Sequence, residues 1–242
     1  LSLFKLNVFR VPSIISLVAG APMFGAMTFP PLYLQLAQGA TPTTSGLMLI
    51  PMTIGILMTS TFAGRYMGKT GRYRILPFSG LGFLTLGMIL LSMLQPDTSR
   101  LVFCLSLGTV GFGMGFVFPV VTTSVQNAVP RSQLGTATAA GIMFRQIGGS
   151  LGVATFGAIF AARLATSMGD SGIKFAEGEA LGPRVVAALP PEIQASLGGM
   201  VVSALQPIYW IAAVLALVGL AFAFLLEEIP LTNRMVPQDK EH

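Results

Sequence analysis

The chain has 242 residues, 53% hydrophobic and only 10% charged, with a formal net charge of +5 and a mean hydropathy of +0.76. A soluble protein is roughly a quarter charged, so this composition excludes a water-exposed globule and divides the length into spans of about 20 apolar residues. The basic residues are scattered between apolar segments, which points to anionic lipid headgroups rather than nucleic acid; the single Cys104 excludes an intrachain disulfide.

Six apolar runs follow in chain order, at 12–37, 46–64, 75–94, 101–123, 135–162 and 207–226. Backbone groups in hydrocarbon must be satisfied within their own segment, so each run is read as a helix and the fold as an all-α membrane protein with six transmembrane helices. The first flank holds Lys5 and Arg10 but leads into a full span rather than a short signal-peptide core. The chain starts on Leu1, and it is read as a fragment or the end of a longer protein.

Lys and Arg in the short loops set direction. Lys5 and Arg10, then Arg65, Lys69, Arg72 and Arg74, then Arg131, then Arg234 and Lys240 mark one side, against Arg100 alone in the short loops of the other. Both termini and the tail 227–242 are therefore expected in the cytoplasm. The long connection 163–206 is expected outside, with a short interfacial helix opening at Pro190-Pro191-Glu192. Tyr209 and Trp210 are expected at the outer headgroup level, where an amphipathic ring is favoured.

Arg145 and Gln146 interrupt an otherwise apolar run about 15 Å beyond its cytoplasmic end, at 1.5 Å per residue. A cation there costs about 2.5–3.5 kcal/mol on insertion scales. Gly141, Arg145, Gly148 and Gly152 recur at helical spacing on one face, and glycines allow close helix approach. Arg145 is therefore expected to face the helix bundle. Two readings remain open: a functional intramembrane cation, or a side chain that snorkels to the boundary. Gly111 and Gly115 form a GxxxG pair, read chiefly as helix packing. Met23 with Met27, and Phe112 with Phe116, form stripes that are core unless their helices line a cavity.

Gly64-Arg65-Tyr66-Met67-Gly68-Lys69-Thr70 mimics a phosphate loop, but Ala63 stands where its first glycine belongs and the segment follows a membrane helix, not a strand. The one histidine is His242, no metal-ligand cluster is spelled out, and no Asp or Glu lies inside the six runs. Enzymatic chemistry has no residues to carry it, and no cofactor is implied.

The order of several motifs resembles the C-terminal half of major facilitator drug/proton antiporters of the fourteen-helix, EmrB/QacA-like group. They are Pro31-Leu32-Tyr33-Leu34-Gln35, Ser45-Gly46-Leu47-Met48-Leu49-Ile50-Pro51-Met52, and Gly64-Arg65 through Gly71-Arg72-Tyr73-Arg74. Gln126-Asn127-Ala128-Val129-Pro130 and Phe144-Arg145-Gln146-Ile147-Gly148-Gly149-Ser150-Leu151-Gly152 complete the set. The resemblance implies one six-helix bundle of two inverted three-helix repeats, partnered by an N-terminal half and driven by the proton motive force. It would sit in a bacterial cytoplasmic (inner) membrane and export hydrophobic or cationic small molecules. The first and fourth spans would line the cavity, making Met23, Phe24, Met27, Gln35, Phe112 and Phe116 substrate-contact candidates. The second and fifth spans would meet the other bundle; the third and sixth would face lipid. Arg145 and Gln146 become gating candidates, with Gly64, Lys69, Gly71 and Arg72, which match the family's cytoplasmic loop motif although Gly68 replaces its acid. Gly149 and its neighbours stand where the other half carries its antiporter glycines. A specific lipid, siderophore or metabolite remains an alternative cargo, and a membrane sensor or scaffold an alternative function.

Overall fold

The computed structural model describes residues 7–127, 129, 131–171 and 190–226. Helix α1 is Asn7–Ala37 and contains Pro12, Pro22, Pro30 and Pro31. In a membrane bundle neighbouring segments and local adjustment satisfy the carbonyls that proline frees, so the helix continues through them. Short α2, Pro42–Leu47, opens on Thr41, whose hydroxyl accepts from the Thr44 N–H at 3.2 Å. Helix α3 is Ile50–Thr70 and stops at Gly71, whose φ of 67° is left-handed and whose N–H bonds the Met67 carbonyl. Then come α4, Ile75–Ser92, and α5, Arg100–Asn127. A single 3-10 turn at Arg131–Gln133 precedes α6, Leu134–Ser171, and α7 is Pro191–Phe224. Among the described residues six helices are long and apolar enough to cross a membrane.

Two expectations from the sequence need correction. The helix of the last span opens at Pro191, not at Pro207, because Pro207 is carried inside α7; its apolar stretch is Ile193–Phe224. The helix that opens at Pro190-Pro191 therefore runs unbroken into the span and is no separate interfacial element. Helix α6 in turn extends to Ser171, so residues 163–171 are helical; 172–189, like the tail 227–242, lie outside the described residues. Tyr209 is 2% exposed in the core, beside Tyr33, Leu91 and Leu205. Its ring packs between helices at the end of the bundle where Tyr33 bonds the Gln95 carbonyl. Its neighbour Trp210 is half exposed.

The helices pair in a repeating pattern. Helix α1 packs on α6 as α3 packs on α5; α4 packs on α5 as α7 packs on α1; α4 and α7 pack on each other. Exchanging the first three spans with the last three maps this set of contacts onto itself, the mark of two repeats related by a pseudo-two-fold axis. Helices α3 and α6 hold the flanks and are the least buried of the six. The ends are tied by hydrogen bonds. Tyr33 donates to the Gln95 carbonyl at 2.6 Å while Gln38 donates to the Tyr33 hydroxyl and the Thr98 carbonyl. At the opposite end Arg74 donates to the Phe224 carbonyl at 2.8 Å.

Candidate functional site

The flank where α1, α5 and α6 meet carries Arg145, a charge in the interior of α6. Glycine is what lets α1 and α6 approach there. A β-carbon on Gly148 would meet the Leu17 backbone, on Gly152 Ala21, and on Gly149 the Phe24 ring; one on Gly20 would meet the Arg145 and Gly149 backbones. The surface of Gly148, Gly149 and Gly152 is thus filled by α1 of the same bundle. Gly141, a turn before Arg145, has open space where a side chain would stand.

Arg145 lies eleven residues into α6 (145 − 134 = 11), about 16 Å along its axis. It is half buried, and its guanidinium carbon stands 4.8 Å from the centroid of the Phe118 ring on α5. That is the distance of a cation–π contact. On one side Arg145 closes a pocket of about 20 Å³ with Ser16, Thr122 and Thr138, room for one water. On the other it borders an open groove of about 330 Å³ lined by Met23, Phe24, Met27, Met114, Phe118 and Gln146. Met23 is buried and Met27 exposed along the groove. Phe24 rests on Gly149, so the missing side chain there positions this wall.

Of the residues singled out from sequence, the groove brings together Met23, Phe24, Met27, Arg145 and Gln146. It does not include Phe112, Phe116 or Gln35. Phe112 and Phe116 lie against Phe83 of α4, with ring centroids at 6.2 and 6.4 Å, and Phe116 also meets Phe62 of α3 at 6.0 Å. Gln35 donates to the Ser45 hydroxyl at 2.8 Å and fastens α2 to the end of α1. The groove's share of α5 is Met114 and Phe118, which sequence reasoning missed. Two residues along a helix are about 200° around it, so stripes starting at Phe112 and at Met114 face opposite ways. Both are apolar, and only the partner helices distinguish them.

Gly111 and Gly115 seat α5 on α3: added β-carbons would meet the Met52 carbonyl in one case, the Thr59 hydroxyl and Ile56 carbonyl in the other. In the loop motif, Gly71 supplies the left-handed turn that ends α3, Gly64 has open space around it, and Lys69 and Arg72 are exposed. They lie apart from the groove. Among the described residues no group of three or more His, Cys, Asp or Glu could hold a metal. The groove offers polarisable apolar walls, one fixed cation and one amide. It can hold a hydrophobic body and hydrogen-bond an acceptor; a cationic ligand would need a carboxylate from elsewhere.

A family model described as Major Facilitator Superfamily matches residues 1–153. The chain is 36% identical over 235 residues to an uncharacterized MFS-type transporter of Mycobacterium tuberculosis, covering 96% of this chain and 34% of that protein. It is 35% identical over 170 residues to the multidrug transporter protein MdtP of Bacillus subtilis, covering 69% of this chain and 31% of that one. The chain thus spans about a third of the length of these relatives. Among solved structures, a bacterial homologue of the human lysosomal transporter Spinster, inward-facing and occupied, superposes with a TM-score of 0.70 at 16% identity. That match covers 92% of this chain and 50% of the other, and it agrees with the six-helix fold. With the family model spanning more than half its residues, the chain belongs to the major facilitator superfamily.

Proposed function

We propose that this chain is the C-terminal six-helix bundle of a proton-coupled antiporter that exports hydrophobic or cationic small molecules from a bacterial cytoplasm. The observation that carries this reading is the groove of Met23, Phe24, Met27, Met114 and Phe118, bordered by Arg145 and Gln146. Methionine and aromatic side chains accept apolar ligands of varied shape, which is the demand that several drugs place on one site. The multidrug transporter MdtP among its relatives supports the same reading.

In this reading the groove faces a second, N-terminal bundle, and rocking of the two exposes it to each side in turn. Proton coupling and the recognition of cations both need a carboxylate, and the described spans hold none in their apolar stretches. In this reading those acids come from the companion bundle, and Arg145 responds to their charge. The test is efflux from cells expressing the full-length protein. Met27→Trp, which fills the groove, is expected to abolish export at unchanged membrane expression. Met27→Cys in a Cys104→Ser background is expected to react with a thiol reagent more slowly when an exported compound is present. Full export by Met27→Trp, with no protection of the cysteine, would remove the groove from the transport path.

A further inference from the structure

A second cavity, of about 410 Å³, opens at the end of the bundle where α3 turns into α4 and α7 finishes. Because Gly71 ends α3 abruptly, Arg72 and Arg74 follow within three residues and both border this cavity. Arg74 is held there by its bond to the Phe224 carbonyl. Arg72 bonds the Thr70 hydroxyl through its backbone, and its side chain is exposed. Below the two cations the wall is apolar and open: Ile75 is 58% and Phe224 59% exposed, and the Phe78 and Phe224 rings meet edge to face at 4.7 Å. Asp97 is the one carboxylate among the described side chains, and it lies in the connection from α4 to α5, at the other end of α4. No described acid fills the cavity.

We infer that this cleft is a binding site for an anionic glycerophospholipid. Two guanidiniums at the rim match a phosphate, which arginine can grip through two parallel hydrogen bonds. The aromatic wall leads from the rim into the depth of the membrane, where only acyl chains are available to cover it. A free phosphate would use the rim alone; a zwitterionic lipid would set its own cation against the two arginines. The ligand that satisfies both halves is a lipid with net negative charge, and its seat between α4 and α7 would brace the joint between the two repeats.

The test is native mass spectrometry of the detergent-solubilised full-length protein, titrated with phosphatidylglycerol or phosphatidylcholine of matched chains. Phosphatidylglycerol is expected to bind preferentially, and Arg72→Gln with Arg74→Gln to weaken it by about fivefold for each arginine. Arg65→Gln with Lys69→Gln removes the same charge from outside the cleft and is expected to leave binding unchanged. Should the loss of Arg74 unfold the joint, seen as a lowered melting temperature, Arg72→Gln alone carries the comparison. Excess glycerol phosphate is expected not to displace the lipid. Displacement would make this an anion site without a lipid. Equal weakening by the two double variants would reduce it to diffuse charge. Equal binding of both lipids would mean that the arginines are neutralised from within the chain, for which Glu227 and Glu228 are close in sequence, and would overturn the inference.

Discussion

Arg145 on α6 stands over the Phe118 ring on α5, 4.8 Å from its centroid, and so couples the charge of one helix to the aromatic wall of another. No sequence rule pairs these two residues, which are 27 positions apart (145 − 118 = 27). The contact partly offsets the cost of holding a cation among apolar helices, and it fixes where that cation meets the groove.

Arg145→Ala is expected to reach the membrane at least as well as wild type, since it removes a costly charge from a span. Export should nevertheless fall. Phe118→Leu removes only the ring face, a contact of about 0.5–2 kcal/mol, and should lower export roughly two- to thirtyfold. Arg145→Lys, which keeps the charge but not the planar group, should recover part of the activity. The measurement is efflux normalised to membrane expression. If Arg145→Ala exports as well as wild type, Arg145 is a snorkelling residue and its functional reading fails.

The α1–α6 joint makes a sharper stability prediction. Gly148→Ala puts a β-carbon into the Leu17 backbone, which cannot turn aside as a side chain could. It should cost about 1–3 kcal/mol and lower the melting temperature in detergent. Gly141→Ala, on the same helix but facing open space, should be neutral. Equal effects would mean that the close approach is not what holds the helices together.

Two core tyrosines should respond in opposite ways. Tyr33 donates to the Gln95 carbonyl and accepts from Gln38, so Tyr33→Phe should destabilise by about 1 kcal/mol. The hydroxyl of Tyr209 is buried with no hydrogen-bond partner among the described residues, so Tyr209→Phe should leave stability unchanged or raise it by about 1 kcal/mol. Thermal unfolding of the two variants checks both. A loss at Tyr209→Phe comparable to that at Tyr33→Phe would show that the hydroxyl finds a partner in another conformation.

The direction of insertion follows from the Lys and Arg distribution. In a Cys104→Ser background, Ser171→Cys is expected to react with an impermeant thiol reagent on intact cells, and Ser132→Cys only after permeabilisation. The reverse pattern would invert the topology and place the arginine cleft in the outer leaflet.

Six membrane helices were legible in the sequence because hydrocarbon acts on each segment separately. A run such as 101–123, with no charge and a span's length, has no other stable conformation in lipid. The ends were less legible. Pro207 reads as a helix start, and only the packing of α7 against α1 and α4 shows that the helix passes through it. Tyr209 shows the same limit: its chemistry suits the end of a span, but only packing shows that its ring is turned between helices rather than outward. Within the groove, Met23 and Met27 were accessible as spacing, Arg145 as an out-of-place charge, and Phe24 only through the family resemblance. Met114 and Phe118 were not, because in a uniformly apolar helix all faces look alike and hydrophobicity carries no phase. Which face of α5 meets α6 rather than α3 and α4 is decided by three of its own glycines, Gly111 and Gly115 packed against α3 and Gly113 packed against α4. Those close backbone contacts exist only once the helices are together.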